Sequence, residues 1–182
     1  NPGDKKYDFQ NTPKVVSGIG KNSLDICKSV YQLIVKKTKV AESIRIAEAS
    51  KLFENIYRSI NIALINELKI ACKYLKLNTH SIIDIAGTKP FGYTKFYPGP
   101  GIGGHCIPID PLYFSWISEK KGFNVKFIEL SARINKFRTK WIISEIKKII
   151  LKQKNQNNRI LLMGMAYKKN IEDTRESASI KI

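Results

Sequence analysis

Residues 40–77 read VAESIRIAEASKLFENIYRSINIALINELKIACKYLKL, a run with neither proline nor glycine. Apolar side chains recur at three- and four-residue steps through Ile44, Ala47, Leu52, Ile56, Ile60, Ala63, Leu64 and Leu68, which is the repeat of one helical face. This run therefore predicts one very long helix, longer than most in globular domains, and such a helix suits the spine of a homodimer. Around it, residues 23–35, 111–121 and 130–152 carry helical patterns and residues 81–87 a short one. Residues 1–13 read as loop, 14–18 as a short strand and 153–158 as a polar linker. Residues 159–164 have the apolar run of a buried strand, with a new helix starting near Ser177. The fold class is mainly α with flanking α/β pieces.

Composition narrows the function without deciding it. The chain has 182 residues, 43% of them hydrophobic, enough for a core in one ordinary domain or parts of two. Three widely spaced cysteines, with no Cys or His pair at zinc-ligand spacing, favour free thiols in a reducing, cytoplasmic setting and no bound metal. No apolar run is long enough to span a bilayer and no signal-peptide pattern is present, so no membrane partner is expected. The formal net charge of +17 suggests a polyanionic partner. Lysine is spread through every segment rather than gathered in a stripe with aromatics, which disfavours nucleic acid. The chain opens at Asn1 without methionine and stops at Ile182 inside a helical pattern, so the expectation is a piece of something longer.

Chemistry concentrates in the stretch from Gly99 to Asp110, Gly-Pro-Gly-Ile-Gly-Gly-His-Cys-Ile-Pro-Ile-Asp. Four glycines and a proline within six residues oppose both helix and central strand, so residues 88–111 are expected to form a functional loop. It presents Cys106, with Asp110 four residues on and Pro108 stiffening the path. A thiol beside a loop whose N–H groups can approach an anion is a candidate nucleophile; the other possibility is a surface loop with an incidental buried cysteine. On the long helix, Glu48, Lys51 and Asn55 share one face. That Lys–Asn pair can hydrogen-bond an oxyanion, or it belongs to a solvated stripe with ordinary ion pairs. Lys168, Lys169, Asp173 and Arg175 follow the 159–164 run, where basic residues are well placed for phosphate. Gly18-Ile19-Gly20-Lys21-Asn22-Ser23 imitates a dinucleotide fingerprint, but Ser23 replaces the third glycine and no acidic strand end follows. It reads as a strand-to-helix turn.

Three segments together resemble the UDP-glucose/GDP-mannose dehydrogenase family. Residues 96–111, from Phe96-Tyr97-Pro98 through Cys106 to Pro111, resemble its catalytic loop. Residues 47–55 with Tyr57-Arg58 resemble its central-helix signature, and Gly164–Lys169 with Asp173–Ser177 the opening of its third domain. Thr88–Tyr93 and the Phe-Tyr-Pro-Gly-Pro-Gly run resemble most the members acting on UDP-N-acetylhexosamines such as UDP-N-acetylglucosamine. The resemblance covers nearly the whole chain. It implies a long-helix central dimerisation domain between the end of one Rossmann-like domain and the start of another. Residues 1–38 would be the remnant of the NAD-binding domain, 39–136 the helical dimerisation and catalytic domain, and 137–182 a connecting helix and the start of the UDP-binding domain.

What the resemblance implies chemically is a two-step oxidation of the C6 hydroxyl of a UDP-sugar to a uronic acid for polysaccharide biosynthesis, using two NAD. Cys106 would attack the intermediate aldehyde, and oxidation of the adduct would leave a thioester that water hydrolyses. Lys51 and Asn55 would stabilise the oxyanion, with Lys51 assisting proton transfer, and Asp110 would orient water or act as a base. Tyr97, Gly99, Gly101, Gly103 and Gly104 would bind the nucleotide sugar, Lys168 and Lys169 would meet its charged part, and Arg175 would touch the cofactor. The family's true Gly-x-Gly-x-x-Gly turn and a glutamate expected just before Asn1 are missing, and so is most of the third domain. The chain alone is therefore expected to be inactive. A structural dimerisation fragment without catalysis and a basic nucleic-acid-binding module are the alternatives.

Overall fold

The structure, a computed structural model, describes residues 7–152 and 159–182; the expected linker at 153–158 lies outside them. The chain divides into two compact units, Asn1–Glu54 with Lys168–Glu172, and Asn55–Tyr167 with Asp173–Ile182.

In the first unit, strand β1 (Lys14–Val16), helix α1 (Lys21–Ile34) and strand β2 (Thr38–Val40) follow one another. The strands pair in parallel, Lys14 opposite Thr38 and Val16 opposite Val40, so α1 is a crossover connection. The turn before α1 is the expected strand-to-helix turn. Strand β2 was not legible, because Lys37-Thr38-Lys39-Val40 alternates charge with only one apolar side chain. Val16 and Val35 are buried, yet on α1 Ile26 and Leu33 stay exposed. Two three-residue strands offer too little surface to cover that face.

Helix α2 (Ile44–Tyr74) begins in the first unit and continues into the second. It starts later than the apolar pattern suggests, since Val40 belongs to β2 and the Ser43 hydroxyl accepts the Ile46 N–H at 3.2 Å as a cap. It ends where Lys76 turns left-handed (φ 57°) and the Leu77 N–H returns to the Cys72 carbonyl at 2.8 Å.

The second unit adds α3 (Thr79–Ala86), α4 (Cys106–Lys120) and α5 (Lys126–Lys152). Asn78 caps α3, accepting from the N–H groups of His80 and Ser81 at 3.0 and 3.3 Å. Helix α4 begins inside the stretch expected to be loop. Pro108 falls in its first turn, where no N–H is needed, and Pro111 sits inside it at the cost of a single bond. Pro108, expected to stiffen a loop, thus lies in the opening turn of a helix that starts five residues before the expected Pro111, and the loop stops at His105. The face of α2 carrying Asn55, Ser59, Ala63 and Asn66 is buried, as is the face of α5 carrying Ile128, Ser131, Asn135 and Arg138. The seam between them is largely polar: the Ser59 and Ser131 hydroxyls lie 3.5 Å apart, and Asn135 donates to the Ser59 carbonyl at 3.3 Å.

Two expectations fail at the C-terminal side. Residues 159–164 form no strand, and Leu161 and Met163 are 84% and 85% exposed. An apolar strand needs hydrogen-bonding neighbours, and among the described residues the second unit has no sheet for it to join. Residues near Ser177 form turns rather than a helix, with Ser177 and Ala178 buried. No helix among the described residues is long and apolar enough to cross a membrane.

Candidate active site

The second unit holds the glycine loop by its peptide groups. The Gly99 N–H donates to the Asn66 side-chain oxygen at 2.9 Å, and Arg138 Nε donates to the Gly99 carbonyl at 3.0 Å. Thr139 donates to the Pro100 carbonyl at 2.9 Å. Asn66, fully buried, is itself fixed by donating to Asn135 Oδ1 at 3.2 Å. Burial pushes the Arg138 guanidinium below its ordinary pKa, and the Trp141 ring lies 4.8 Å from it, a favourable cation–π placement.

The glycines answer to neighbours in the chain itself. Gly101 has φ 153°, and a Cβ there would stand 2.6 Å from Thr139 Oγ1. At Gly103 it would stand 2.5 Å from the Tyr167 Cβ, and at Gly104 2.9 Å from the Tyr167 ring. The Gly104 N–H also donates to the Arg175 carbonyl at 3.1 Å. The loop is thus clamped on both sides immediately before the cysteine.

Cys106 is the first residue of α4 and is exposed, whereas Cys72 is buried and Cys27 half-buried. The first N–H groups of a helix have no partner within it, so a negative charge forming at this thiol meets the positive end of the helix dipole. Asp110 lies one turn further on, and Asn55, 1% exposed, donates from Nδ2 to Asp110 Oδ2 at 2.5 Å. Arg58 in turn donates from Nη2 to Asn55 Oδ1.

The other expected site residues divide between the units. Lys51, Lys168 and Lys169 belong to the first; Lys51 pairs with Glu54 at 3.3 Å with both side chains largely exposed. Tyr97 belongs to the second, its hydroxyl donating to Asp84 Oδ1 at 2.5 Å and its ring stacked on His80 at 5.9 Å. That bond to Asp84 raises the Tyr97 pKa. Arg175 grips the Asp173 carboxylate with Nε at 3.0 Å and Nη2 at 2.7 Å, which lowers Asp173 to about 2. The same bond raises Arg175, with smaller contributions in the same direction from Tyr167 and Cys106.

The sequence assigns no role to Arg58, Asn66, Asn135, Arg138 or Tyr167, although Arg58 and Tyr167 stand in segments that carry the family resemblance. For four of them a signal existed: Arg58 and Ser59 stand three and four residues after Asn55 and Asn66 two helical turns after Ser59, and likewise Ser131, Asn135 and Arg138 keep the helical period, on helices whose neighbouring faces are apolar. Polar residues that keep the period of a buried face must be partnered. For Tyr167, the resembling segment 164–169 gives no sign that its ring stands against Gly103 and Gly104.

The sequence profile of the UDP-glucose/GDP-mannose dehydrogenase family, central domain, matches residues 45–137. The UDP-N-acetyl-D-glucosamine 6-dehydrogenase of Pseudomonas aeruginosa is 36% identical, aligned over all of this chain and 43% of its own length. The UDP-N-acetyl-D-mannosamine dehydrogenase of Methanocaldococcus jannaschii is 33% identical over all of this chain and 40% of its own. Among solved structures, the UDP-N-acetyl-mannosamine dehydrogenase Cap5O of Staphylococcus aureus superposes with a TM-score of 0.79 at 32% identity, covering 94% of this chain and 39% of that one. The chain spans about two fifths of the length of these relatives. With the profile matched across half of its residues, this chain belongs to the UDP-glucose/GDP-mannose dehydrogenase family.

Proposed function

We propose that this chain is the catalytic and dimerisation part of a nucleotide-sugar 6-dehydrogenase acting on a UDP-N-acetylhexosamine, with Cys106 as nucleophile. The observation that best supports it is the junction of an exposed cysteine at a helix N-terminus with Asp110 one turn on, held by the buried Asn55. NAD+, consumed as the oxidant, supplies the hydride acceptor for both oxidations. The described residues do not assemble a pocket for it: the sheet has two three-residue strands, and the Gly18–Ser23 turn lacks a third glycine.

On the substrate side, the Cys106 thiolate adds to the C6 aldehyde, forming the C–S bond while the carbonyl oxygen gains charge and then a proton. Asn55 donates to that oxygen, with Lys51, one turn earlier on α2, given the oxyanion role that family resemblance implies. Loss of the second hydride together with that hydroxyl proton, the latter to water, would leave a thioester. Water then adds to its carbonyl carbon, Asp110 takes the water proton, the C–S bond breaks and sulfur leaves as thiolate. The backbone of Gly99, Gly101, Gly103 and Gly104 would line the sugar, whereas Arg175, which grips Asp173, is given to the cofactor by family resemblance alone. The long α2 helix pairs with its mate in a second copy through Leu64 and Leu68, which are 50% and 45% exposed.

Iodoacetamide labelling tests the site. Cys106 should alkylate far faster than Cys27 or Cys72, and UDP-N-acetylglucosamine should slow it where N-acetylglucosamine alone does not. Equal labelling of the three cysteines, or indifference to the nucleotide sugar, would count against the assignment.

A further inference from the structure

We propose that Arg58 is a positioning residue that fixes which end of the Asn55 amide faces Asp110, and so keeps an N–H donor on the reacting side; the catalytic consequence rests on the function proposed above. A guanidinium can only donate hydrogen bonds and an ionised carboxylate can only accept them. Asn55 lies between one of each, with Oδ1 taking Arg58 Nη2 and Nδ2 giving to Asp110 Oδ2. Only one orientation of the amide satisfies both. Turning it over would set its carbonyl against the carboxylate and its NH2 against the guanidinium. Asn55 is 1% exposed, so water cannot compensate for either mismatch.

Helix geometry makes the arrangement available, because Arg58 is three residues from Asn55 and shares its face of α2. The neutral amide also keeps cation and anion apart in a useful way. An arginine placed directly on Asp110 would engage both carboxylate oxygens as a fork, whereas Asn55 engages Oδ2 alone. Asp110 is thereby held through one oxygen by a neutral donor rather than forked to a cation, as a residue that orients or deprotonates water requires. Without the guanidinium, the asparagine could turn and withdraw its donor from the site.

The test uses the whole chain with Cys27→Ser and Cys72→Ser, so that Cys106 is the single thiol. p-Nitrophenyl acetate acylates that thiol, the initial burst reporting acylation and the later release reporting thioester hydrolysis. Arg58→Met should slow hydrolysis about tenfold, the loss of one charge-assisted hydrogen bond, and change the burst less than twofold. Asn55→Leu should slow it similarly, and the double variant should be no slower than Asn55→Leu alone. Arg58→Lys, which can still donate to Oδ1, should recover most of the rate. In parallel, the Asn55 side-chain NH2 should lose its hydrogen-exchange protection in Arg58→Met and keep it in Arg58→Lys. Additive losses in the double variant, or an Asn55 NH2 equally protected without Arg58, would overturn the proposal. Should Arg58→Met fail to fold, the exchange and hydrolysis of Arg58→Lys against Arg58→Gln decide it by the same criteria. Failure of the proposed function shows elsewhere, as Cys106 labelling indifferent to the nucleotide sugar, and leaves the exchange readout at Asn55 unchanged.

Discussion

Replacing Asn66 by leucine should weaken the second unit more than any surface change, and the amount follows from its contacts. Asn66 is completely buried, accepts the Gly99 N–H at 2.9 Å and donates to the buried Asn135 Oδ1 at 3.2 Å. Leucine removes both bonds and leaves both partners in place. An orphaned buried polar group costs about 1–3 kcal/mol; Gly99 sits at the low end because its surroundings are only partly buried, Asn135 higher. Added apolar burial offsets roughly 1 kcal/mol, and crowding from the extra bulk cancels about as much. The net expectation is about 3 kcal/mol, or roughly 6–12 °C in Tm for a chain of this size. Both tryptophans, Trp116 and Trp141, belong to the second unit, so urea unfolding followed by tryptophan fluorescence reports on it selectively. Asn66→Asp adds a sign test. It keeps the acceptor for Gly99 but sets a buried anion against the Asn135 oxygen, and burial favours its neutral form. Its deficit should therefore shrink as pH falls, since the protonated carboxyl can again donate. A loss under 1 kcal/mol for Asn66→Leu, with loop amides at Gly99–Gly104 exchanging as in the native chain, would refute the clamp.

Three further outcomes are expected. Asp173 should titrate near 2 in the native chain and move toward the ordinary carboxylate range in Arg175→Ala, read by carboxyl NMR; its ionised form is favoured in the fold, so the contribution holds above that range and fades as pH drops through about 2. Gly101→Ala should cost about 1–3 kcal/mol, because a Cβ there meets Thr139 and the φ suits glycine. Gly92→Ala, with φ 73° but open space around it, should cost less in the same urea series. Sedimentation should show a dimer at micromolar concentration that Leu64→Glu with Leu68→Glu dissociates, and a monomeric native chain would remove α2 as the dimer seam.

The long helix was legible because it needed one kind of information, a sustained apolar period without breakers. Strand β2 and the start of α4 were not, for opposite reasons. The former has only pairing to define it, with a single valine in three residues. The latter hides its start behind Pro108 and Pro111, and whether a proline breaks or opens a helix depends on where the first turn falls. The 159–164 segment fails differently: its composition describes a strand, but composition cannot supply the neighbouring strands that would hold it.

Cys106, Asn55 and Asp110 were selected by residue type and spacing, whereas what holds them was written in the polar positions of apolar faces. Asn66, Asn135 and Arg138 make no stability case by themselves, because a well-packed apolar seam in their place would cost less desolvation. They are intelligible as a set of directional contacts. A glycine-rich loop has no side chains with which to pack, so only its peptide groups can be gripped, and gripping a peptide requires a donor and an acceptor at fixed places. Asn66 supplies the acceptor and Arg138 the donor for Gly99, from two helices whose relative register Asn135 fixes by bonding to both Asn66 and the Ser59 carbonyl. A slide of α5 along α2 would break the Asn135 bonds and the Gly99 clamp together. Helix register and loop position are therefore set by one network, and the cysteine that follows the loop inherits its place from that network.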